Sequence, residues 1–225
     1  MRMSTRLGTA AVAIALVGGI SLTGAPAQAK TTTSTSGTAG LGFLQSTLSA
    51  MSLVGVQFGT TPPTTTVGDG GTSQTFVFPI STSVKAGVVT LEGGISVGAM
   101  LARLYLTAPR LEGVTGTSGR ITFEVTDMPA DGPAELTNGS RIGLFTVSSL
   151  KSQPRKGRVT KVGKTWTRTD RQRITGQVSL ADDAALMTSI NSYIGTSFFT
   201  PGFEFGTLTT VITTKVTCST PAECR

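Results

Sequence analysis

The sequence predicts a mostly β protein, an antiparallel β-sandwich or curled sheet with two short helices at its ends. Three observations carry that expectation. The composition is rich in Thr, Gly and Val, with only 14% charged residues, which favours strands and turns over helices. Apolar and polar residues alternate with a period of two in several short runs. Gly and Pro clusters punctuate those runs at strand-like intervals.

The first element is a leader rather than part of the fold. Arg2 and Arg6 precede an apolar run from Leu7 to Leu22, and a short polar stretch closes on Ala27-Gln28-Ala29. Charged n-region, apolar h-region and small residues at −3 and −1 are the order of a secretory signal peptide, cut after Ala29. The run would rise about 24 Å as a helix, less than a bilayer's ~30 Å hydrocarbon core, which argues against an anchor. No second long apolar stretch follows, so no transmembrane segment is expected in the mature chain. The protein is therefore expected to be secreted and extracellular, either retained at the cell wall or released.

Removing 29 of the 225 residues leaves 196, enough for one domain with a full core. Residues 30–40 (KTTTSTSGTAG) read as a disordered polar linker, and 41–217 as a single β-rich domain. Leu41, Leu44, Leu48 and Met51 recur at helical spacing and predict a first helix over 41–54. Thr60 to Gly71 is a loop by its prolines and glycines. Phe76-Val77-Phe78-Pro79-Ile80 is an apolar run whose proline suits a sheet edge or a strand end. Two strand candidates, Gly87–Glu92 and Gly94–Gly98, flank Gly93. Ala102, Leu104 and Leu106 then face one side while Arg103 and Tyr105 face the other, and Ile121, Phe123 and Val125 alternate likewise. Arg141 to Ser148 is a further strand.

A second helix is signalled by Ser179 three residues before Asp182, by Leu186, Met187, Ile190, Tyr193 and Ile194 on one stripe, and by Gly195 as a stop. Thr207 to Val216 is a long β-branched final strand. Residues 218–225 form a tail. Its Cys218 and Cys224 are the only cysteines, and in an exported chain such a pair reads as a disulfide. A loop this short contributes only about 2–3 kcal/mol, mostly by pinning the tail.

Charge is unevenly placed. The mature chain carries 17 basic and 12 acidic residues, since Arg2 and Arg6 leave with the leader. Nine of the basic residues (Lys151, Arg155, Lys156, Arg158, Lys161, Lys164, Arg168, Arg171 and Arg173) lie in one segment with a single acid, Asp170. Its alternation around Gly157 and Gly163 fits a hairpin or two. Such a segment could grip an acidic cell-wall polymer or envelope surface, with Trp166 stacking on a ring. The plainer reading is a solvated hairpin that blunts a sheet edge with positive charge. No sequence-specific nucleic-acid contact is expected.

Catalysis finds little support. The chain has no histidine, which excludes serine triads, cysteine–histidine pairs and histidine-ligated zinc. Glu124, Asp127, Asp131 and Glu135 offer oxygens of the kind calcium takes, but their spacing is not that of an EF-hand, and the Asp-Gly and Gly-Pro steps are ordinary turn chemistry. The chain is expected to be a binding or structural module without catalytic residues, metal or cofactor.

Several landmarks fall in a familiar order: Phe78-Pro79-Ile80, Gly93-Gly94-Ile95, Leu106-Thr107-Ala108-Pro109-Arg110-Leu111, Leu144-Phe145, the Ala184-Ala185…Asn191 helix, and Phe199-Thr200-Pro201-Gly202-Phe203-Glu204-Phe205-Gly206. Together, from about Leu41 to Val216, they resemble the HtaA-like domain of actinobacterial secreted and cell-wall proteins. The resemblance implies a mostly β extracellular module and, as an alternative function, haem capture for iron uptake. Haem-binding members use a tyrosine near the domain start and a supporting histidine. Here residues 41–54 contain no tyrosine, and only Tyr105 and Tyr193 remain as ligands on that alternative.

Overall fold

The computed structural model describes residues 31–225 apart from 69–72, 86 and 130; the expected leader and its cleavage site lie outside the described residues. Along the chain run β1 (Thr32–Phe43), α1 (Gln45–Leu53), β2 (Gln57–Thr61), β3 (Thr65–Val67), β4 (Thr75–Lys85), β5 (Val88–Leu91) and β6 (Gly94–Gly98). They are followed by β7 (Arg103–Glu112), β8 (Gly119–Thr126), a 3-10 turn (Ala134–Leu136), β9 (Arg141–Arg155), β10 (Val159–Val162), β11 (Thr165–Leu180), α2 (Ala184–Ile194) and β12 (Glu204–Cys218).

The mostly β class and the presence of two helices are as expected, but both helices lie at the same end, and the architecture is a closed barrel and not a sandwich. The hydrogen-bonded order β5-β4-β1-β12-β11-β9-β8 returns to β5 through β7, which pairs with both β8 and β5. Eight antiparallel strands thus form a ring. β2 and β6 extend from one stretch of β7, β3 from β4, and β10 from β11. Sandwich and barrel share the same inward–outward alternation along each strand, so alternation alone does not separate them.

Closure depends on strands that change partners. β7 pairs with β6 from Arg103 to Thr107 and with β5 from Arg110 to Glu112. β4 pairs with β3 from Thr75 to Val77 and with β5 from Ile80. A proline sits at each exchange. Pro79 and Pro109 have no N–H to leave unpaired where one neighbour ends and the next begins. The Pro79 carbonyl takes the Glu92 N–H at 2.9 Å, and Ala108, beside Pro109, adopts φ 46° within the register shift. Pro79 therefore lies inside a strand rather than at its end.

Residues 32–40, expected to be a disordered linker, form most of β1 and pair with β12 from Thr32↔Thr217 onward. Their β-branched threonines suit a pleated strand whose partner lies far along the chain. The first helix is correspondingly shorter than expected, because Leu41 belongs to β1 and faces the core. The second helix starts on Asp183, whose carboxylate accepts the Leu186 N–H at 3.0 Å; Ser179 lies in β11 and does not cap it. Gly195 ends it at φ 77°, as the stop signal requires.

The barrel interior is filled. A chain of ring contacts runs from Phe58 to Phe43 (5.4 Å), Phe205 (4.6 Å), Phe145 (4.7 Å), Phe123 (6.2 Å) and Phe78 (6.5 Å). Leu41, Leu104, Leu106, Leu111 and Ile174 are fully buried in the same core. An eight-stranded barrel can either be filled by side chains or hold one small ligand, and here the buried rings and aliphatic side chains take up the interior. One mouth is closed by α1, α2 and the β6–β7 and β8–β9 connections. There the buried Thr47 hydroxyl donates to the Phe205 carbonyl at 2.8 Å, Leu101 N–H to Ile194 at 3.2 Å, and Ser189 to Glu135 at 2.8 Å.

Candidate functional site

With the interior packed, binding chemistry falls to the outside. The strongest feature there lies at the mouth opposite the helices. β1, β12, β11 and β9 run on past the barrel rim as a projecting sheet, prolonged by β10. β12 continues six residues beyond its last inward core residue, Ile212, or about 20 Å.

The predicted hairpin is present: β10 and β11 join through a two-residue turn at Gly163-Lys164, with Gly163 at φ 60°. β9 and β10 follow one another along the same edge of β11, interrupted by Lys156-Gly157-Arg158. Strand alternation divides the basic residues between two faces. Ile174 points into the barrel, so Gln172, Asp170, Arg168 and Trp166 share its side. Arg173 and Arg171 point outward.

The inner face at the tip is occupied by the C-terminal tail. Cys218 stands opposite Trp166 and is bonded to Cys224, so the expected disulfide is present. The Arg168 guanidinium donates to Asp170 Oδ2 at 3.0 Å and to the carbonyls of Cys224 and Arg225, while Asp170 Oδ1 accepts the Gly157 N–H at 3.0 Å. Lys161 Nζ lies 5.9 Å from the Trp166 ring centroid on the same side. Trp166 and Arg168 thus belong to the packing of the tail, on the side away from Arg171 and Arg173. Lys156, Arg158 and Lys164 are exposed between strands.

The outer face is different. It carries Lys151 and Arg155 on β9, Arg171 and Arg173 on β11, and Lys215 on β12, all exposed. Arg155 is directly opposite Arg171, and Gln153 opposite Arg173. Thr169, Thr213, Ser34 and Ser36 surround them on the same face. Among the described residues, none of these five cations makes a hydrogen bond or ion pair, and no carboxylate stands on this face of the projection. The ion pairs found among the described residues lie elsewhere: Glu112–Arg120 at 2.6 Å, Glu124–Arg141 at 3.7 Å and Arg168–Asp170. Two grooves meet at the Arg155–Arg171 pair. One, of about 420 Å³, is lined by Gln153, Arg155, Arg171, Arg173 and Val211, and the other, of about 200 Å³, by Arg155, Lys156, Gly157, Thr169 and Arg171.

Lys215 escaped the sequence reading because it lies outside the basic run; its parity with Thr213 and Val211 on the last strand was the available signal. At the helical mouth a groove of about 820 Å³ has no charged lining residue and is rimmed by Leu53 (87% exposed) and Met100 (83%), with Leu101 (73%) nearby.

The two tyrosines do not come together on one element. Tyr105 is 36% exposed on the outer wall of β7, opposite Ser96 and Thr126, while Tyr193 is half-buried on α2 and packs against the core. Neither lines the groove at the helical mouth. Of the four acidic candidates, Glu124 pairs with Arg141 and Glu135 accepts a hydrogen bond from Ser189; no cluster of three or more metal-binding side chains occurs among the described residues. No helix among the described residues is long and apolar enough to cross a membrane. No family model, curated protein or solved structure matches this chain.

Proposed function

We propose that this protein is an exported, non-catalytic β-barrel module that binds an anionic polymer at the cell envelope through the outer face of its projecting sheet. The observation that supports this most is the set of five exposed, unpaired cations, Lys151, Arg155, Arg171, Arg173 and Lys215, on a face without a carboxylate among the described residues. Like charges directly opposite across a ladder weaken a sheet, and a bound polyanion reverses the sign of that interaction. The sheet holds the charges on a rigid frame, which lowers the ordering cost of binding.

The test is retention on anionic wall material. Wild-type protein should be held at low salt and released as salt rises. Replacing the five outer cations with Ala should abolish retention, whereas Lys161→Gln and Lys164→Gln should leave it intact. Retention that survives the fivefold replacement defeats the proposal.

Haem capture is the second reading, favoured by the part-exposed Tyr105 and by the resemblance to HtaA-like domains. A hemin titration should then give a saturable Soret shift lost in Tyr105→Phe; a flat titration removes it.

A further inference from the structure

We infer that the outer face recognises phosphate rather than negative charge alone, and that its ligand is a flexible polyol phosphodiester seated at Arg155, Arg171 and Arg173. This rests on the anionic-polymer reading above and narrows it to a ligand class.

The residue types carry the first step. Three of the four cations lining the two grooves are arginines, Arg155, Arg171 and Arg173; Lys156 lines the smaller groove only, and Lys151 and Lys215 line neither. A guanidinium offers a planar fork of donors that matches the oxygens of a tetrahedral oxyanion, whereas an ammonium acts as a point charge. Arg155 and Arg171 face each other directly, and Arg173 follows two residues on, about 6.7 Å along the strand. The three forks therefore address one phosphate or two successive ones.

The surroundings carry the second step. Beside the arginines stand Gln153, Thr169, Thr213 and Ser36, a set of amide and hydroxyl groups suited to the hydroxyls of a polyol chain. The face presents no aromatic ring among the described residues, because Trp166 lies on the opposite side beneath Lys161. Single-stranded nucleic acid is held by a cationic groove together with rings on which the bases stack, so this face supplies only the first of the two. Among the large apolar side chains of the described residues, only Val211 (38%) and, at the hairpin tip, Val162 (59%) are exposed on this face, and two isolated valines are too little to enter a bilayer. A hydroxyl-rich phosphodiester in solution or in the wall fits better than a nucleic acid or a lipid surface.

The experiment measures binding of the purified protein, by calorimetry at fixed salt, to synthetic poly(glycerol phosphate), poly-glutamate of equal charge, a single-stranded oligonucleotide and anionic phospholipid vesicles. Poly(glycerol phosphate) should bind best, about tenfold tighter than poly-glutamate. The triple variant Arg155→Lys, Arg171→Lys, Arg173→Lys keeps every charge and removes every fork. It should lose about tenfold for poly(glycerol phosphate) and stay within about twofold for poly-glutamate. An unchanged melting temperature shows that the variant is folded. Equal affinity for the two polymers, or indifference to the lysine exchange, overturns the phosphate assignment and leaves the anionic-polymer reading standing. Tighter binding to the oligonucleotide or the vesicles overturns the choice of ligand. Failure to bind any polyanion overturns both.

Discussion

Thr64 and Gly94 are joined across the point where the barrel wall divides: the Thr64 hydroxyl accepts the Gly94 N–H at 3.0 Å and donates to the Glu92 carbonyl at 3.2 Å. The hydroxyl is buried and ties the turn after β2 to the turn between β5 and β6. Gly93, between the two bonded residues, sits at φ 83°, and a Cβ there would lie 2.2 Å from Thr64 Oγ1 and 2.6 Å from Thr64 N. Gly93 is thus explained by the close approach of the other turn, and Gly94 by that of β7, since a Cβ there would lie 2.2 Å from the Leu106 carbonyl oxygen.

Thr64→Val keeps the shape and removes both bonds, leaving a buried N–H and a part-buried C=O without this partner. It should cost about 1–3 kcal/mol, while Thr64→Ser should recover most of that. Gly93→Ala should cost more than Thr64→Val, because it adds backbone strain to a steric conflict. Urea titrations of the three variants decide the order.

Glu112 gives the fold a dependence on acid. Burial raises the pKa of its carboxyl, but the hydrogen bond and charge of Arg120, the Thr122 hydroxyl and the charge of Arg141 outweigh that and hold it below the ordinary 4.5. A pKa lowered by folding means that the unfolded chain binds the proton more readily. The stabilisation is therefore present above 4.5 and lost as pH falls through the lower folded value. The stability difference between wild type and Glu112→Gln should be largest near neutral pH and shrink below the ordinary carboxylate range. A difference that is constant with pH would refute this.

The Cys218–Cys224 bond encloses only the tail, and the core does not depend on it. The double variant Cys218→Ser, Cys224→Ser should lose at most about 2–3 kcal/mol and retain a cooperative transition. Proteolysis should become faster at residues 219–225 first, because Arg168 would then hold a tail no longer closed into a loop.

Salt dependence counts the cations that meet the ligand. If five outer cations displace counterions, the logarithm of affinity for a flexible polyanion should fall against log salt with a slope near −3.5, about −0.7 per contact. Each single Ala replacement among Lys151, Arg155, Arg171, Arg173 and Lys215 should reduce that slope by about 0.7. Arg168→Ala should leave the slope unchanged, since its guanidinium is engaged by Asp170 and the tail.

Much of the fold was legible wherever the deciding contacts are local. The alternation that put Leu104 and Leu106 inward and Tyr105 outward holds, as does that of Ile121, Phe123 and Val125. The apolar stripe and glycine stop of the second helix hold as well. What was not legible depends on distant partners. Thr32–Gly40 resembles a linker until its partner, 169 to 185 residues away, is placed beside it. Barrel closure rests on where β4 and β7 exchange neighbours, and Pro79 and Pro109 mark those points only once the neighbours are known. The basic segment was found as a segment, but its division into two faces needed the parity fixed by Ile174.

The pairing of β1 with β12 has a mechanical meaning. Thr32 and Thr217 are opposite each other, so the outer ends of both strands emerge side by side at the tip of the projection. Tension drawn between them would load the ladder one rung at a time, from Thr32↔Thr217 toward Phe43↔Gly206, instead of shearing all the rungs together. Pulled by those two ends in a single-molecule experiment, the molecule should open like a zip at low force. Pulled sideways through its cationic face, it transmits the load across four strands into the packed barrel. If that face holds a polymer, as proposed, such a build would suit a clasp and would serve poorly as a link in a chain under strain.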